Sequence, residues 1–557
     1  MKNKSRYPIK TAVIVFIILV CALGLRLYNI NKYDMWFDEL MSDLRSYEII
    51  TSRALFFNIS PLTFFLKGIE RDPQPPFYYM LVYIYSFLFG GGKLLRGLSV
   101  IFSMLSLGMF YKLARLFFNR RMSIYALLIM VLNPLQIWYA QEARSYTMVL
   151  FFAISFIYFY TQALKTNKPF YWISFFLSSI CGIYTSYYFI FLLIGSGFTL
   201  LFFKDYRPHI KKWIITIIGI SILFLPFMFM SLGHLNYIKN DFWLPPPSLK
   251  WLIWIFANFN LGYSANLGQF IAGLVLFGSL FMYGMYSYYR SNKKGAITLL
   301  LFFLSPFIGA YIFSKTIAPI YITRQLLICS PLYYLFVAKG IYGIKRKIPH
   351  VLALVFVVLL LSSSLVNYYS GFMLTPSRAR FFRPSHKMPD FYIGVHEKKN
   401  YSGLMNYINK EFKKGDILVA TDVQSMQIIK LWYYRSLRYK HSDFSQEMIY
   451  LFFYPRLTGG MLSLKTHNLQ KQIIEIKEKD RLYAAHVLKN YYDNVIEDVE
   501  AYVNNGSFKR IWLISSAWNK DESFSLNSLR VWKYMRRNYK EIRFMKKDGI
   551  HIGLFAI

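Results

Sequence analysis

Residues Thr11–Leu40 read TAVIVFIILVCALGLRLYNINKYDMWFDEL. The first half, Thr11–Leu27, is an apolar run long enough for one helical crossing of a bilayer. Lys2, Lys4, Arg6 and Lys10 precede it and no small-residue cleavage site follows. It therefore reads as a retained helix with a cytoplasmic N-terminus, not as a signal peptide. The second half carries Asp38-Glu39 within the aromatic stretch Tyr33-Asp34-Met35-Trp36-Phe37-Asp38-Glu39-Leu40. Paired acids are costly to keep beside a membrane, so they mark a candidate functional site.

Similar apolar runs recur along the chain. Of its 557 residues, 55% are hydrophobic, with 52 Phe and 46 Tyr, which a soluble protein of this length would not carry as span-length runs. The net charge of +37 raises nucleic acid as a partner, but no aromatic-basic recognition module is present. The cations instead lie between apolar runs, where they set topology, and in the C-terminal third. Cys21, Cys181 and Cys329 all sit in apolar segments, so the hydrophilic tail has no disulfide framework and no cysteine zinc site.

Placing the basic segments 112–121, 165–168, 204–212, 290–294 and 345–347 in the cytoplasm predicts about eleven transmembrane helices. They fall near 11–28, 95–113, 122–138, 146–164, 169–184, 186–203, 212–232, 268–290, 296–314, 322–343 and 349–369. On this parity Phe77–Phe89 lies in the outer interface, its tyrosines suited to headgroups. The alternative is a short true span turning at Gly90-Gly91-Gly92. Outer loops 29–94, 138–146 and 233–267 result, and residues 1–370 form the membrane domain. Residues 371–557 read as an extracytoplasmic α/β domain. Tyr401–Phe412 has helical period, and 416–420, 511–515 and 550–557 are strand candidates.

Four clusters converge on the outer face: Asp38-Glu39, Arg71-Asp72-Pro73-Gln74-Pro75-Pro76, Arg96, and Gln141-Glu142-Ala143-Arg144-Ser145-Tyr146. Arg324 adds a cation. Arginines at a membrane face can hold a lipid phosphate through paired hydrogen bonds, while a carboxylate takes the proton from an attacking hydroxyl. Blander readings stand beside these. Asp34 and Asp43 read as solvated or capping charges, Arg96 and Arg324 as anchors that snorkel to headgroups, and Glu142 with Arg144 as a local pair.

At these residues the chain resembles the polyprenyl-phosphate-sugar-dependent membrane glycosyltransferases. This is the GT-C fold group that holds the protein O-mannosyltransferases and the bacterial aminoarabinose transferases. The resemblance rests on Asp38-Glu39, on the stretch from Gln74 to Tyr79, and on Arg96-Gly97-Leu98-Ser99. It rests also on the stretch from Tyr139 to Tyr146 and on Trp243-Leu244-Pro245-Pro246-Pro247-Ser248, and covers roughly residues 8–345.

The resemblance implies a GT-C membrane domain in which Asp38 is the catalytic base, Glu39 supports it and Glu142 lies near the same site. No cofactor is certain, and Asp38 with Glu142 are the residues that would share a divalent metal. Relatives often have His or Lys where this chain has Gln74. The phosphate clamp would then rest on Arg71, Arg96, Arg144 or Arg324, with Gln74 as a neutral donor.

The expected function is transfer of a sugar from a polyprenyl-phosphate donor to an acceptor hydroxyl at the extracytoplasmic face of a bacterial inner membrane. The acceptor is a protein, a lipid or a polysaccharide. The rival reading is a transporter or flippase of a lipid-linked saccharide. Such a protein would place ionisable groups at the midplane of its helices, and here the acids lie in loops.

Overall fold

The computed structural model describes residues 9–36, 38–43, 74–241 and 247–372. In the tail it describes 403, 407–408, 410–411, 413, 416–420, 449–452, 509–516, 526–547 and 550–557. Arg71, the stretch from Trp243 to Pro246 and most of Tyr401–Phe412 lie outside the described residues. Two compact units form: Met1–Ile30 with Phe65–Val395, and Asn31–Phe64 with His396–Ile557.

The first unit is helical. Its elements are α1 (Ile9–Leu27), α2 (Phe77–Phe89), α3 (Arg96–Phe117), α4 (Arg120–Leu132), α5 (Pro134–Ala140), α6 (Tyr146–Thr166) and α7 (Pro169–Ile183). They continue with α8 (Phe189–Phe202), α9 (Ile210–Asp241), α10 (Leu249–Leu261), α11 (Leu267–Ser291) and α12 (Lys293–Thr316). A short turn, Thr323–Leu326, leads to α13 (Ser330–Gly343) and α14 (Lys347–Ser370). Among the described residues seven helices are long and apolar enough to cross a membrane, and an eighth when α4 and α5 count as one span. The remaining expected spans fall on the shorter apolar helices Thr11–Leu27, Pro169–Ile183 and Phe189–Phe202. The chain is an integral, multi-pass membrane protein, and helices are the economical answer because each satisfies its own backbone polar groups away from water.

Two places differ from the expected spans. The stretch 122–138 breaks at Asn133-Pro134, where α4 and α5 meet at 59°. Pro134 has no N–H to continue the ladder and disfavours helical geometry at the residue before it. Asn133 accordingly adopts φ −69° and ψ 120°, and its side chain accepts from Leu135 N at 2.9 Å. Its amide then donates to Phe259 O and Asn260 O at 2.7 and 3.0 Å, tying the break to α10. The second difference is α10 itself, a helix inside the expected outer loop 233–267. Trp251, Trp254, Ile255 and Phe259 are buried, so the segment is part of the core.

Helix α11 meets α13 at glycines. A Cβ placed on Gly284 would lie 1.9 Å from Phe336 O, and one on Gly340 would lie 2.0 Å from Leu280 O. Only hydrogen side chains allow this backbone-to-backbone approach. Elsewhere the outer surfaces stay apolar: Phe16, Phe87, Val275 and Ile348 are exposed, as lipid-facing side chains should be.

The second unit holds a sheet of β1 (Asp416–Ala420), β2 (Ile449–Phe452), β3 (Arg510–Ser516), β4 (Lys540–Lys547) and β5 (Ile550–Ala556), with helix α15 (Leu526–Asn538). The strand order is β2-β1-β3-β5-β4. Strands β2, β1 and β3 run parallel, while β5 is antiparallel to both β3 and β4. The three strands expected from sequence are β1, β3 and β5, and the tail is α/β. Asp416 and Arg510 are directly opposite in the β1–β3 register. Arg510 donates to both Asp416 oxygens, at 2.6 and 2.5 Å, and Trp512 Nε1 adds a third bond at 2.8 Å.

Candidate active site

In the first unit the site is built on the link between α5 and α6. Pro134 forces α5 to leave the axis of α4, and α5 ends at Gln141, whose N–H still bonds Ile137 O at 3.0 Å. Arg144 N then bonds Glu142 O at 2.8 Å, a tight turn that sets Glu142 and Arg144 in fixed directions. Helix α3 holds that turn from the side. Ser99 Oγ donates to Glu142 O at 2.6 Å and also reaches Arg144 O at 3.3 Å.

Glu142 is 1% exposed, and its Oε2 accepts from Trp138 Nε1 at 2.9 Å. Arg144 is also buried, and its Nη1 donates to Tyr79 OH at 3.3 Å. Tyr79 in turn donates to Gln74 Oε1 at 3.1 Å. Two of the sequence clusters, the one before α2 and the one before α6, are thereby joined through Tyr79. The start of α2 is pinned by Phe77 N donating to Tyr184 O at 3.0 Å.

Aromatic side chains wall this region. The Tyr139 and Tyr263 hydroxyls are 2.6 Å apart, and the Trp138 ring lies edge-on to Tyr263 with centroids at 5.3 Å. Tyr263 lies in the link between α10 and α11. Burial raises its phenol pKa above the usual value and the Tyr139 hydrogen bond lowers it; the Glu142 charge raises it and Arg324 lowers it. Tyr263 therefore feels both the acid and the cation. A phenol held neutral there can donate or accept a hydrogen bond without adding charge.

Arg96 is 1% exposed and donates to Ile30 O at 2.6 Å. Its burial inside the protein is inconsistent with an anchor that snorkels to headgroups. Arg324 sits in the turn before α13 and is partly buried. Asp34 and Asp43, expected as solvated or capping charges, are buried in the second unit.

Asp38-Glu39 opens a helical turn over residues 38–43 of the second unit. Leu40 N bonds Trp36 O at 2.9 Å, which makes Trp36 the cap. Glu39 is fully buried, and its Oε2 accepts from Trp36 N at 3.3 Å. This is the return half of a capping box, in which an acid three residues into a helix satisfies the N–H of the cap. Asp38 keeps partial exposure, and its own carbonyl accepts from Ser42 Oγ at 3.2 Å. The two acids thus differ: one is fully buried and bonded to the backbone, and the other keeps partial exposure.

Among the described residues no three His, Cys, Asp or Glu side chains gather into a group that could hold a metal. Reading the sequence missed Tyr79, Trp138 and Tyr263 as site residues and gave no role to Ser99 or Gln141. Tyr79, Ser99 and Gln141 lie inside motifs already singled out, whereas Tyr263 carries no local signal.

Residues 73–231 match the family model described as dolichyl-phosphate-mannose-protein mannosyltransferase. Among solved structures the fold is similar to ArnT from Cupriavidus metallidurans bound to undecaprenyl phosphate. The TM-score is 0.55 and the identity 11%, over 97% of each chain. The apo state of the same protein gives 0.55 and 11%, over 98% of each. The archaeal oligosaccharyltransferase AglB from Archaeoglobus fulgidus is a weaker likeness, at a TM-score of 0.48 and 9% identity over 91% of this chain and 69% of that one. No curated protein matches in sequence. The fold is that of the GT-C membrane enzyme ArnT over nearly the whole chain, and the mannosyltransferase family match is carried by residues 73–231.

Proposed function

We propose that this protein transfers a monosaccharide from a polyprenyl-phosphate donor to an acceptor hydroxyl, with inversion and with Asp38 as the base. The observation that carries this reading is the contrast within the acidic pair. Glu39 is committed to the Trp36 N–H, while Asp38 remains partly exposed at the start of the same turn. A general base must be able to reach the proton it removes.

In the reaction the acceptor O–H gives its proton to the Asp38 carboxylate as its oxygen forms a bond to the anomeric carbon. The bond from that carbon to the phosphate oxygen breaks, and its electron pair leaves with the polyprenyl phosphate. One displacement inverts the centre, and the departing phosphate is already a stable anion. Arg144, with Gln74 and Tyr79 around it, is the proposed phosphate clamp, and Arg324 is a second cation. Arg96 is better read as structural, because its guanidinium caps a backbone carbonyl at 2.6 Å. Helix α2, with Tyr78, Tyr79 and Val82 buried and Met80, Ile84, Phe87 and Leu88 exposed, fits a helix lying in the outer membrane interface. The site and the tail then face the extracytoplasmic side of a bacterial inner membrane. Residues 371–557 act as the tail domain that positions the acceptor.

The test incubates purified protein with a panel of radiolabelled polyprenyl-phosphate sugars, beside Asp38→Asn. The variant should keep donor binding and lose transfer by roughly 10²- to 10⁴-fold, the usual scale of general-base catalysis. Equal sugar transfer by both proteins removes Asp38 from the mechanism.

A further inference from the structure

The C-terminal end of α1 is the place where the chain departs toward Asp38. A helix ends with four carbonyls that lack intrahelical partners, and each needs another donor when buried. All four are accounted for here. Gly24 O accepts from Tyr28 N at 2.9 Å, and Leu27 O from Ile30 N at 3.2 Å. Leu25 O accepts from Tyr369 OH on α14. Arg26 O accepts from Gln141 Nε2 at 2.9 Å.

The same Gln141 amide goes further. Its Nε2 also donates to Tyr28 O at 2.8 Å, beyond the helix end. Its Oε1 accepts from Tyr368 OH at 2.6 Å. Both amide hydrogens and one lone pair are thereby used, of the four bonds that such a group can make. Asn29 follows at φ 56°, a left-handed conformation that Asn tolerates at helix ends. Arg96 then closes the series on Ile30 O.

We infer that Gln141 is a positioning residue that fastens the exit of α1, from which the chain runs to Asp38-Glu39, to the turn that carries Glu142 and Arg144. The side chain touches no reacting atom. Its work is to hold the end of α1 against the turn that bears Glu142 and the clamp arginine. Catalysis by positioning is sensitive to displacements near 1 Å, so loosening this bond lowers turnover more than donor binding. This inference rests on the proposed mechanism for its kinetic consequence, but its structural half does not.

The experiment uses full-length protein in lipid nanodiscs, as wild type, Gln141→Ala and Gln141→Glu, with Tyr368→Phe as a milder cut. Backbone hydrogen exchange over residues 24–30 should rise at least about tenfold in Gln141→Ala, with exchange in α6 unchanged. Gln141→Glu should match or exceed it, because a carboxylate faces two carbonyls where the amide hydrogens were. With a polyprenyl-phosphate sugar as substrate, kcat should fall at least about tenfold while the donor KM changes less than about threefold. Unchanged exchange over 24–30 overturns the inference. So does a rise spread evenly over the bundle, which marks a merely structural role. Equal losses in kcat and donor affinity also count against it. If wild type transfers no sugar, the proposed function fails, and the exchange readout still decides the fastening on its own.

Discussion

Ser99 gives its hydroxyl proton to the backbone carbonyl of Glu142 at 2.6 Å, across 43 residues of sequence. A side chain near the start of one helix thus sets the direction in which the proposed site's second acid leaves its turn. Removing the hydroxyl in Ser99→Ala should cost about 1 kcal/mol of stability, the usual net worth of one buried hydrogen bond. Turnover should fall about tenfold, because Glu142 and Arg144 lose their lateral hold. Ser99→Thr should keep most of the activity. Steady-state kinetics beside a thermal melt checks this, and an unchanged kcat with an unchanged melt contradicts it.

Arg144 is joined to Tyr79 and, through it, to Gln74. If this trio holds the donor phosphate, Arg144→Ala should raise the donor KM by about 10- to 100-fold, which is about 1.4 to 2.8 kcal/mol for a charge-assisted contact. Arg144→Lys should fall between, since an ammonium keeps the charge and loses the planar fork. Tyr79→Phe should raise KM less, because the charge remains and only its orientation loosens. Binding of polyprenyl phosphate, followed by intrinsic fluorescence, measures all three.

The α11–α13 crossing is set by two glycines, and neither has room for a methyl group against the opposing backbone. Gly340→Leu and Gly284→Val should yield no monodisperse protein in detergent. Gly278→Ala, on the same α11, is the control, because nothing lies within 4 Å of its added Cβ. It should purify like wild type. Size-exclusion profiles of the three variants separate a packing failure from a general intolerance of α11 to substitution.

In the tail, Asp416 is buried and takes bonds from Arg510, Trp512 and the Lys413 N–H. Asp416→Ala should destabilise the tail by about 3–5 kcal/mol, because the arginine loses its counter-charge while remaining mostly buried. The exposed pair of Arg536 and Glu541, at 3.1 Å, offers the contrast. Glu541→Gln should cost less than about 1 kcal/mol. Limited proteolysis of the full chain, read by the rate at which tail fragments form, ranks the two.

The acidic pair was visible from sequence as a costly feature beside a membrane, but not the division of labour within it. Glu39 is a helix cap because Trp36, three residues earlier, begins a turn, and that turn exists only once the surrounding chain has folded. Arg96 shows the opposite lesson. A lone arginine at the outer start of a span is compatible with an anchor, a clamp or a brace, and only burial against Ile30 O separates these. The break at Asn133-Pro134 was legible in principle, since proline interrupts a ladder wherever it falls. Its consequence, the redirected α5 that presents Gln141 and Glu142, was not.

By itself the sequence determined where the tail strands β1, β3 and β5 and the apolar helices lie, apart from the break at Asn133-Pro134 and the buried helix α10. Apolar length and period decide those, and in a bilayer each span must satisfy its own backbone hydrogen bonds. The partners of Gln141 were left to the tertiary structure, because they are 115 residues before it and 227 after it. The glycine crossing of α11 and α13 was left to it as well. Such contacts have no local signature: a hydrogen bond between distant segments is favoured only when the packed core excludes water from both ends. The stretch from Thr11 to Leu40 therefore announces a membrane protein with a guarded acidic pair. Its closing carbonyls show, only in three dimensions, that Tyr369, Gln141 and Arg96 hold the point from which that pair departs.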